Sequence, residues 1–170
     1  MTLESKRKWV LPPKLYRVEN VIDSILKERS ITDVEKFFSS NPSDIPSPTK
    51  LFNTESASKK ILEHVKNGSK IVIHGDYDCD GICASSILWE FLYRDLSKYI
   101  GKRIDVVPYI PNRIDQGYGL TQNSLDDVLD LKADLLISVD CGVRDFDLIK
   151  EYRKKGLDFV ITDHHQPPSV

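Results

Sequence analysis

Three short apolar segments of this chain run directly into groups of carboxylate or imidazole side chains. The segments are Ile71–His74, Leu135–Val139 and Phe159–Thr162. Apolar runs of this length favour strands buried on both faces of a sheet. Helical patterns lie between them, and strands alternating with helices predict an α/β fold with a mainly parallel sheet flanked by helices. The polar groups at the strand ends should therefore meet at one edge of the sheet.

The remaining segments of the α/β region follow the same alternation. Their predicted ranges are a helix over Ile82–Leu96, a strand over Ile104–Pro108, a helix over Ser124–Leu129 and a helix over Phe146–Lys155. We expect each strand to be joined to the next by a helix that covers one face of the sheet.

The part of the chain before this region predicts an N-terminal helical extension. Residues 15–40 carry apolar side chains at helical spacing, and three prolines within residues 41–48 are typical of a linker. A second helix is predicted over Ser56–Lys66, ahead of Gly68. We therefore expect a helical extension and linker over residues 1–68 and the α/β domain over residues 69–170.

Composition limits the class of protein. The chain has 170 residues, a formal net charge of −2 and 40% hydrophobic residues. An acidic balance argues weakly against a nucleic-acid binder, although a local groove can be basic on an acidic protein. The sequence shows neither a leader peptide nor an apolar stretch long enough to cross a membrane. We expect a cytoplasmic protein without a membrane contact.

The polar groups at the strand ends predict a metal centre. Carboxylates packed together repel one another unless a cation lies among them. Carboxylates combined with imidazoles suit Mn²⁺ or Mg²⁺ better than a structural zinc ion. Asp140 could bridge two ions, which together can activate a water and stabilise the leaving oxygen of a phosphodiester. The strand-end acids and histidines are His74, Asp76, Asp78, Asp80, Asp140, Asp163, His164 and His165.

Other interpretations of these residues remain. A single aspartate after a strand is more often a helix cap or a turn residue than a ligand. The spacing Asp-x-Asp-x-Asp-Gly also begins a calcium loop, but Ile87 occupies the position where such a loop needs Glu. Zinc could be bound by Cys79, Cys83 and Cys141. Small residues packed beneath the site explain these cysteines better, because no four-thiolate pattern is present.

The loop Pro111–Leu120 predicts a second functional element. Its glycines alone would explain a turn-rich connection. In the functional interpretation, Arg113 is a fork donor to a phosphate, Tyr118 stacks on a base, and Gly117 and Gly119 let the backbone approach the substrate.

These motifs resemble those of the DHH phosphoesterase superfamily. Gly75–Gly81 resembles its first motif, Asp140–Gly142 a later one, and Asp163–His165 the motif that gives the superfamily its name. The loop Pro111–Leu120 and the opening around Trp9 resemble the RecJ-like branch of single-strand-specific exonucleases.

The resemblance implies an activity and a set of residue roles. The activity would be 5′ to 3′ degradation of single-stranded DNA with two Mn²⁺ or Mg²⁺ ions, in DNA repair and recombination, with repair or replication proteins as further partners. His165 would contact the scissile phosphate or assist the leaving group, and Asp76 would be a second catalytic acid. The implied metal ligands are Asp78, Asp80, Asp140 and His164, with His74 as an additional one.

The sequence also departs from the family pattern, and two alternative functions remain. The family pattern includes a further metal-binding Asp after the His-His pair and a second domain, so the expectation is a fragment of a DHH domain that is poorly active alone. One alternative is a DHH phosphodiesterase for oligonucleotides or cyclic dinucleotides. The other is a non-catalytic scaffold in a replication complex.

Overall fold

A computed structural model describes residues 21–39 and 41–168 of the chain. The chain divides into two compact units between residues 47 and 48. The first unit contains helices α1 (Val21–Glu28) and α2 (Val34–Phe38). The predicted helical segment over residues 15–40 is thus two helices, separated by a turn in which Ser30 has a φ of 56°. Trp9 and residues 15–20 lie outside the described residues.

The second unit is built on a parallel sheet, as predicted. The strand order is β2-β1-β3-β4, and each neighbouring pair is parallel. Gly75 is paired with Val139, and Val139 with Thr162, so three strands end at the same level. The strands are β1 (Ile71–Gly75), β2 (Val106–Tyr109), β3 (Leu135–Val139) and β4 (Asp158–Thr162).

Helices connect these strands in the predicted order. A π-helical segment over Phe91–Leu96 joins α4 to α5, so the helical stretch is longer than the predicted Ile82–Leu96. The helices of this unit are α3 (Thr54–Asn67), α4 (Cys79–Glu90), α5 (Ser97–Ile100), α6 (Gln122–Asp130) and α7 (Phe146–Lys154).

The sheet lies between two helical layers because alternate residues of each strand face opposite sides. Ile71 and Ile73 face the layer of α3 and α4, whereas Val72 faces the layer of α6 and α7. Every residue of β1 and β3 is buried. These two central strands therefore place their carboxyl ends inside a rigid frame.

Helix α3 packs with the sheet. Val65 is buried against the strands, and Ala57 and Ile61 pack beside it. The helix ends at Gly68, whose φ of 72° and N–H bonds to the carbonyls of His64 and Val65 form the expected cap. The compact unit therefore begins before the predicted domain start at residue 69.

Within residues 21–39 and 41–168, no helix combines the length and the apolar character needed to cross a membrane.

Candidate metal centre

The turn between β1 and α4 carries the first group of acids and depends on a close backbone crossing. A Cβ atom on Gly81 would lie 2.4 Å from the carbonyl oxygen of Asp76, so only glycine fits there. The carboxylate of Asp76 is buried, and its Oδ1 accepts a hydrogen bond from the N–H of Tyr77 at 2.6 Å. The crossing holds this carboxylate beside the beginning of α4.

Asp78 is both a helix cap and a member of the acidic cluster. Its Oδ1 accepts hydrogen bonds from the N–H groups of Asp80 and Gly81, both at 3.1 Å, and so caps α4. An acidic side chain at a helix N-terminus is also stabilised by the helix dipole. One carboxylate can serve both roles because it has two oxygens and about four acceptor sites.

Asp140 follows the central strand β3 in an unusual environment. Its backbone is left-handed, with a φ of 63°, which is rare outside glycine. Its side chain is 6% exposed, and burial, followed by the charge of Asp78, raises the pKa of its carboxyl group. Oδ1 lies 2.9 Å from Nε2 of His164, but the angles are not those of a hydrogen bond, and no described residue bonds this oxygen. A buried carboxylate oxygen without a hydrogen bond is costly, and an oxygen of this kind is suited to binding a cation.

Two groups of potential ligands share Asp140. Ligand atoms of Asp76, Asp78 and Asp140 lie within 4.8 Å of one another, and so do those of Asp140, His164 and His165. The set contains carboxylate oxygens and imidazole nitrogens and no thiolate, which suits Mn²⁺ or Mg²⁺. The residues present therefore fit a pair of divalent ions with Asp140 between them.

His165 is oriented by Asp163 and by the loop before α6. Its Nδ1 lies 2.7 Å from Oδ1 of Asp163, and its Nε2 lies 3.2 Å from the hydroxyl of Tyr118. The hydrogen bond from Asp163 raises the pKa of His165, despite opposition from partial desolvation. Asp163 is fixed in turn, because its Oδ2 accepts the N–H of Val143 at 3.0 Å.

His74 and Asp80 lie outside both ligand groups. His74 is fully buried, its ring centroid is 5.3 Å from that of Tyr109, and its Nδ1 is 3.6 Å from Sγ of Cys141. Burial lowers the pKa of His74 to about 4, so its ring stays neutral. Asp80 lines a cavity of about 400 Å³ together with Asp140 and His164. Their roles as ligands remain predictions.

The cysteines do not form a common packing layer. Cys141 is buried beneath the centre, whereas Cys79 and Cys83 are exposed on α4. The interpretation of small packing residues therefore holds for Cys141 alone.

The loop Pro111–Leu120 lies beside the centre. The guanidinium of Arg113 lies 5.0 Å from the ring centroid of Tyr77, next to Asp76 and Asp78 in the chain. Tyr118 is 54% exposed, with its ring centroid 6.4 Å from that of Tyr77. The glycines of this loop, Gly117 and Gly119, have φ angles of 77° and 75°, which a turn with positive φ requires.

Two residues near the centre were not identified from the sequence. Asp145 accepts the N–H of Leu120 through Oδ2 at 3.1 Å and so ties the loop to the start of α7. Nε of Arg144 donates to the carbonyl of Gln166 at 2.8 Å. Arg144 and Asp145 line a pocket of about 220 Å³ together with His165. Their position directly after the Asp140–Gly142 motif was the available signal.

Comparison with known proteins gives consistent matches. The model of the family described as DHH family, N-terminal domain, matches residues 70–170. The single-stranded-DNA-specific exonuclease RecJ of Thermus thermophilus is 35% identical over 111 residues, which are 65% of this chain and 16% of that protein. RecJ of Haemophilus influenzae is 32% identical over 150 residues, 88% of this chain and 25% of that protein. The chain thus spans between about a sixth and a quarter of the length of these relatives.

Solved structures of RecJ share the fold of this chain. A manganese-bound exonuclease RecJ superposes with a TM-score of 0.56 at 34% identity, covering 68% of this chain and 28% of that one. RecJ from Thermus thermophilus in complex with Mn²⁺ gives a TM-score of 0.55 at 30% identity, covering 71% and 16%.

Proposed function

The chain belongs to the DHH family, and from this membership we propose that its strand-end cluster binds two Mn²⁺ or Mg²⁺ ions and hydrolyses phosphodiester bonds in single-stranded DNA. The similar RecJ proteins are named as single-stranded-DNA-specific exonucleases, and two RecJ structures contain manganese. These relatives support the substrate class and the metal.

The position of Asp140 carries this proposal. Asp140 belongs to both groups of ligand atoms, it is buried, and its Oδ1 has no hydrogen bond among the described residues. Its left-handed backbone is a conformation that persists only where the surrounding structure enforces it, and such residues cluster at functional sites. One carboxylate shared by two ions would hold them close enough to stabilise both the attacking and the leaving oxygen of an in-line displacement.

Each residue of the cluster would have its own role in holding the ions. Asp76 and Asp78 would hold one ion and His164 the other, with Asp140 shared, and Asp80 stands at the rim of the same cavity. The bound pair would lower the pKa of a water molecule and offset charge on the phosphate. The buried frame of β1 and β3 keeps these ligands in position without further rearrangement.

We propose that His165 acts on the phosphate or on the leaving oxygen. Asp163 holds its Nδ1 and raises its pKa, so Nε2 is available to hold a proton next to the substrate. Tyr118, whose hydroxyl lies 3.2 Å from Nε2, orients the same ring from the other side. Arg113 and the exposed ring of Tyr118 would contact the nucleotide, with the glycines on either side allowing a close approach.

We further propose 5′ to 3′ polarity and a role in DNA repair or recombination, which rest on the similarity to RecJ alone. Oligonucleotides labelled at the 5′ or the 3′ end separate the two polarities, because the label on the attacked end is released first. A cyclic dinucleotide, supplied as a competing substrate, tests the alternative phosphodiesterase activity. Faster hydrolysis of the cyclic substrate than of a single strand would contradict the proposal.

The first prediction concerns Asp140→Asn, which keeps the shape of the side chain and removes its charge. We expect the loss of measurable Mn²⁺ binding at both positions, because the shared ligand contributes to each. Isothermal titration calorimetry, with electron paramagnetic resonance of free Mn²⁺, measures the stoichiometry.

The matched control is Asp130→Asn, which removes one exposed carboxylate at the end of α6. It should bind Mn²⁺ like the wild type. Retention of two ions in Asp140→Asn would show that the residue does not bridge them.

A further inference from the structure

Helix α7 carries exposed cations that the metal centre does not use. Lys150, Arg153 and Lys154 are exposed, and none forms an ion pair in the part of the chain that the structure describes. Positive charge is therefore concentrated on this surface of a protein whose formal net charge is −2. A local basic surface of this kind attracts polyanions whatever the total charge.

The acids of α7 lie near these cations along the helix but do not pair with them. Asp147 and Glu151 are four residues apart, and Glu151 pairs with Lys155 at 3.2 Å. Lys150 and Lys154 lie three residues after Asp147 and Glu151, and neither cation forms an ion pair with them. The charges of the three cations are therefore not neutralised by a direct contact with these acids.

The three cations border a groove of about 620 Å³ between α7 and β4, which we call the α7 groove, and no acidic residue of the described chain lines it. Its apolar lining comes from Val143, Ile149 and Ile161, and the cations Lys150, Arg153 and Lys154 line it with them. The ring of Phe146 also lines the groove and is 70% exposed. A large exposed ring beside unpaired cations indicates a binding surface.

The α7 groove is continuous with the metal centre. Gly142 and Val143 line both the groove and the adjoining pocket that contains Arg144 and His165. Asp163 then connects that pocket with the cavity of the metal-binding carboxylates. A chain of nucleotides could therefore pass from the centre past Arg144 into the groove.

We propose that the α7 groove binds the single strand next to the scissile bond, with its phosphates on Lys150, Arg153 and Lys154 and a base on Phe146. This inference rests on the proposed function and adds a substrate subsite to it. The charge selects a polyanion, and the exposed ring with an apolar lining selects one whose base faces are free. A duplex stacks its bases inside, so a single strand is the occupant that satisfies both features.

The experiment measures binding of a fluorescent oligo-dT of about twelve nucleotides, within the range of single-strand site sizes. Anisotropy is recorded with the full chain in EDTA, which prevents hydrolysis, over a series of NaCl concentrations. Lys150→Ala/Arg153→Ala should weaken binding and reduce the slope of log affinity against log salt by roughly 1.4, since each phosphate contact contributes roughly 0.7. Phe146→Ala should weaken binding about tenfold and leave the slope unchanged, because stacking releases no counterions.

The charge-matched control is Lys66→Ala/Lys98→Ala, which removes two exposed cations on α3 and α5 that do not line the groove. If this control lost as much affinity and slope as the groove variant, the total charge of the protein would explain the binding, and the proposal would be overturned. Equal binding of a duplex, or equal competition by a poly-glutamate peptide, would also overturn it, because either shows that bases are not recognised. A dimer that dissociates in Phe146→Ala would identify the groove as a self-association surface instead.

Binding in EDTA separates this inference from the proposed function. If groove variants lose affinity while Asp140→Asn still binds Mn²⁺, the strand subsite stands and the two-ion centre fails. If Asp140→Asn loses Mn²⁺ and the groove variants bind the oligonucleotide like the wild type, the centre stands and the subsite fails.

Discussion

At the scale of single residues, the backbone crossing at Gly81 leaves no room for a side chain. The turn brings Gly81 against the backbone of Asp76, and a Cβ there would also lie 2.5 Å from the Asp76 nitrogen. Both partners are main chain, so neither can move aside as a flexible side chain would. The carboxylates on either side of the crossing depend on it for their position.

We therefore predict that Gly81→Ala destabilises the protein by about 3 kcal/mol, because the added methyl forces the backbones apart. Urea unfolding followed by circular dichroism measures the change. The control is Gly101→Ala, where no atom lies within 4 Å of the new Cβ and only the φ of +68° is unfavourable. That variant should lose about 1 kcal/mol. Equal losses would show that space at the crossing does not limit stability.

The sequence predicted most residues of the candidate centre, because apolar runs marked the strands that these residues follow. Asp76, Asp78, Asp140, His164 and His165 are brought together as the parallel topology requires. The side on which a strand-end residue lies was not predictable, since it depends on the register of the sheet and on the helices that cover each face.

His74 shows how the register sets the direction of a side chain, and its role as a ligand remains a prediction. It lies one residue before the end of β1 and faces the α6 and α7 layer, where its ring packs beside Tyr109. Asp145 and Arg144 illustrate another limit, because their contacts join segments that are distant in sequence. Leu120 and Gln166 become their partners only after the chain has folded.

At the scale of secondary-structure elements, α3 is tied to the edge strand β4 by a charged cluster. Oδ2 of Asp158 lies 2.9 Å from Nζ of Lys60 and 3.2 Å from Nε2 of His64. Burial acts to raise the pKa of Asp158, but the hydrogen bonds from Lys60 and His64 outweigh it, and the pKa is lowered overall. Helix α3 is thus held at the sheet by charge as well as by its apolar face.

We predict that Asp158→Asn lowers stability at pH 7 by less than about 1 kcal/mol, since the pair is partly exposed and screened. The carboxyl pKa is lower in the folded than in the unfolded state. Its contribution is therefore present above the unfolded pKa and disappears as the pH falls through the folded value. Urea unfolding over a series of pH values should show a difference between wild type and variant at pH 7 that shrinks as the pH falls below the unfolded pKa of the carboxyl group. A difference that persists in acid would indicate lost packing rather than lost charge.

The helical stretch after Asp78 shows what periodicity alone could predict. Apolar spacing predicted its existence, and the structure extends it in both directions, from Cys79 through the π-helical segment to Ile100. The earlier start of this helix, at Cys79, depends on Asp78 acting as its N-cap. The π-helical turn depends on packing and has no signature in the apolar pattern.

At the scale of the whole molecule, folding and ion binding should be coupled. The candidate ligands come from three separate strand ends and meet only in the folded state. An ion that binds the folded chain alone adds stability that grows with its concentration. Without an ion, the buried carboxylate of Asp140 opposes folding, as its raised pKa indicates.

We predict that Mn²⁺ at about a hundredfold excess over its dissociation constant stabilises the wild-type chain by about 2.7 kcal/mol for each ion that binds. Thermal unfolding by scanning calorimetry, with Mn²⁺ or with EDTA, measures this. Asp140→Asn should show no Mn²⁺ effect and should melt above the wild type in EDTA at pH 7, because a charged group whose pKa is raised in the folded state destabilises it at neutral pH. A lower melting temperature in EDTA would show that the Asp140 charge stabilises the empty site.

The position of β3 between β1 and β4 sets the length scale of the centre. Adjacent strands of any sheet lie about 4.8 Å apart, so the residue after β3 stands one such interval from the residues that follow each neighbour. Two-ion phosphoesterases need their ions roughly 3.5–4 Å apart, a distance slightly shorter than this interval. Side chains that follow adjacent strands would therefore be close enough to hold two ions at such a separation, because the backbone hydrogen bonds of the sheet already fix the distance between the strands.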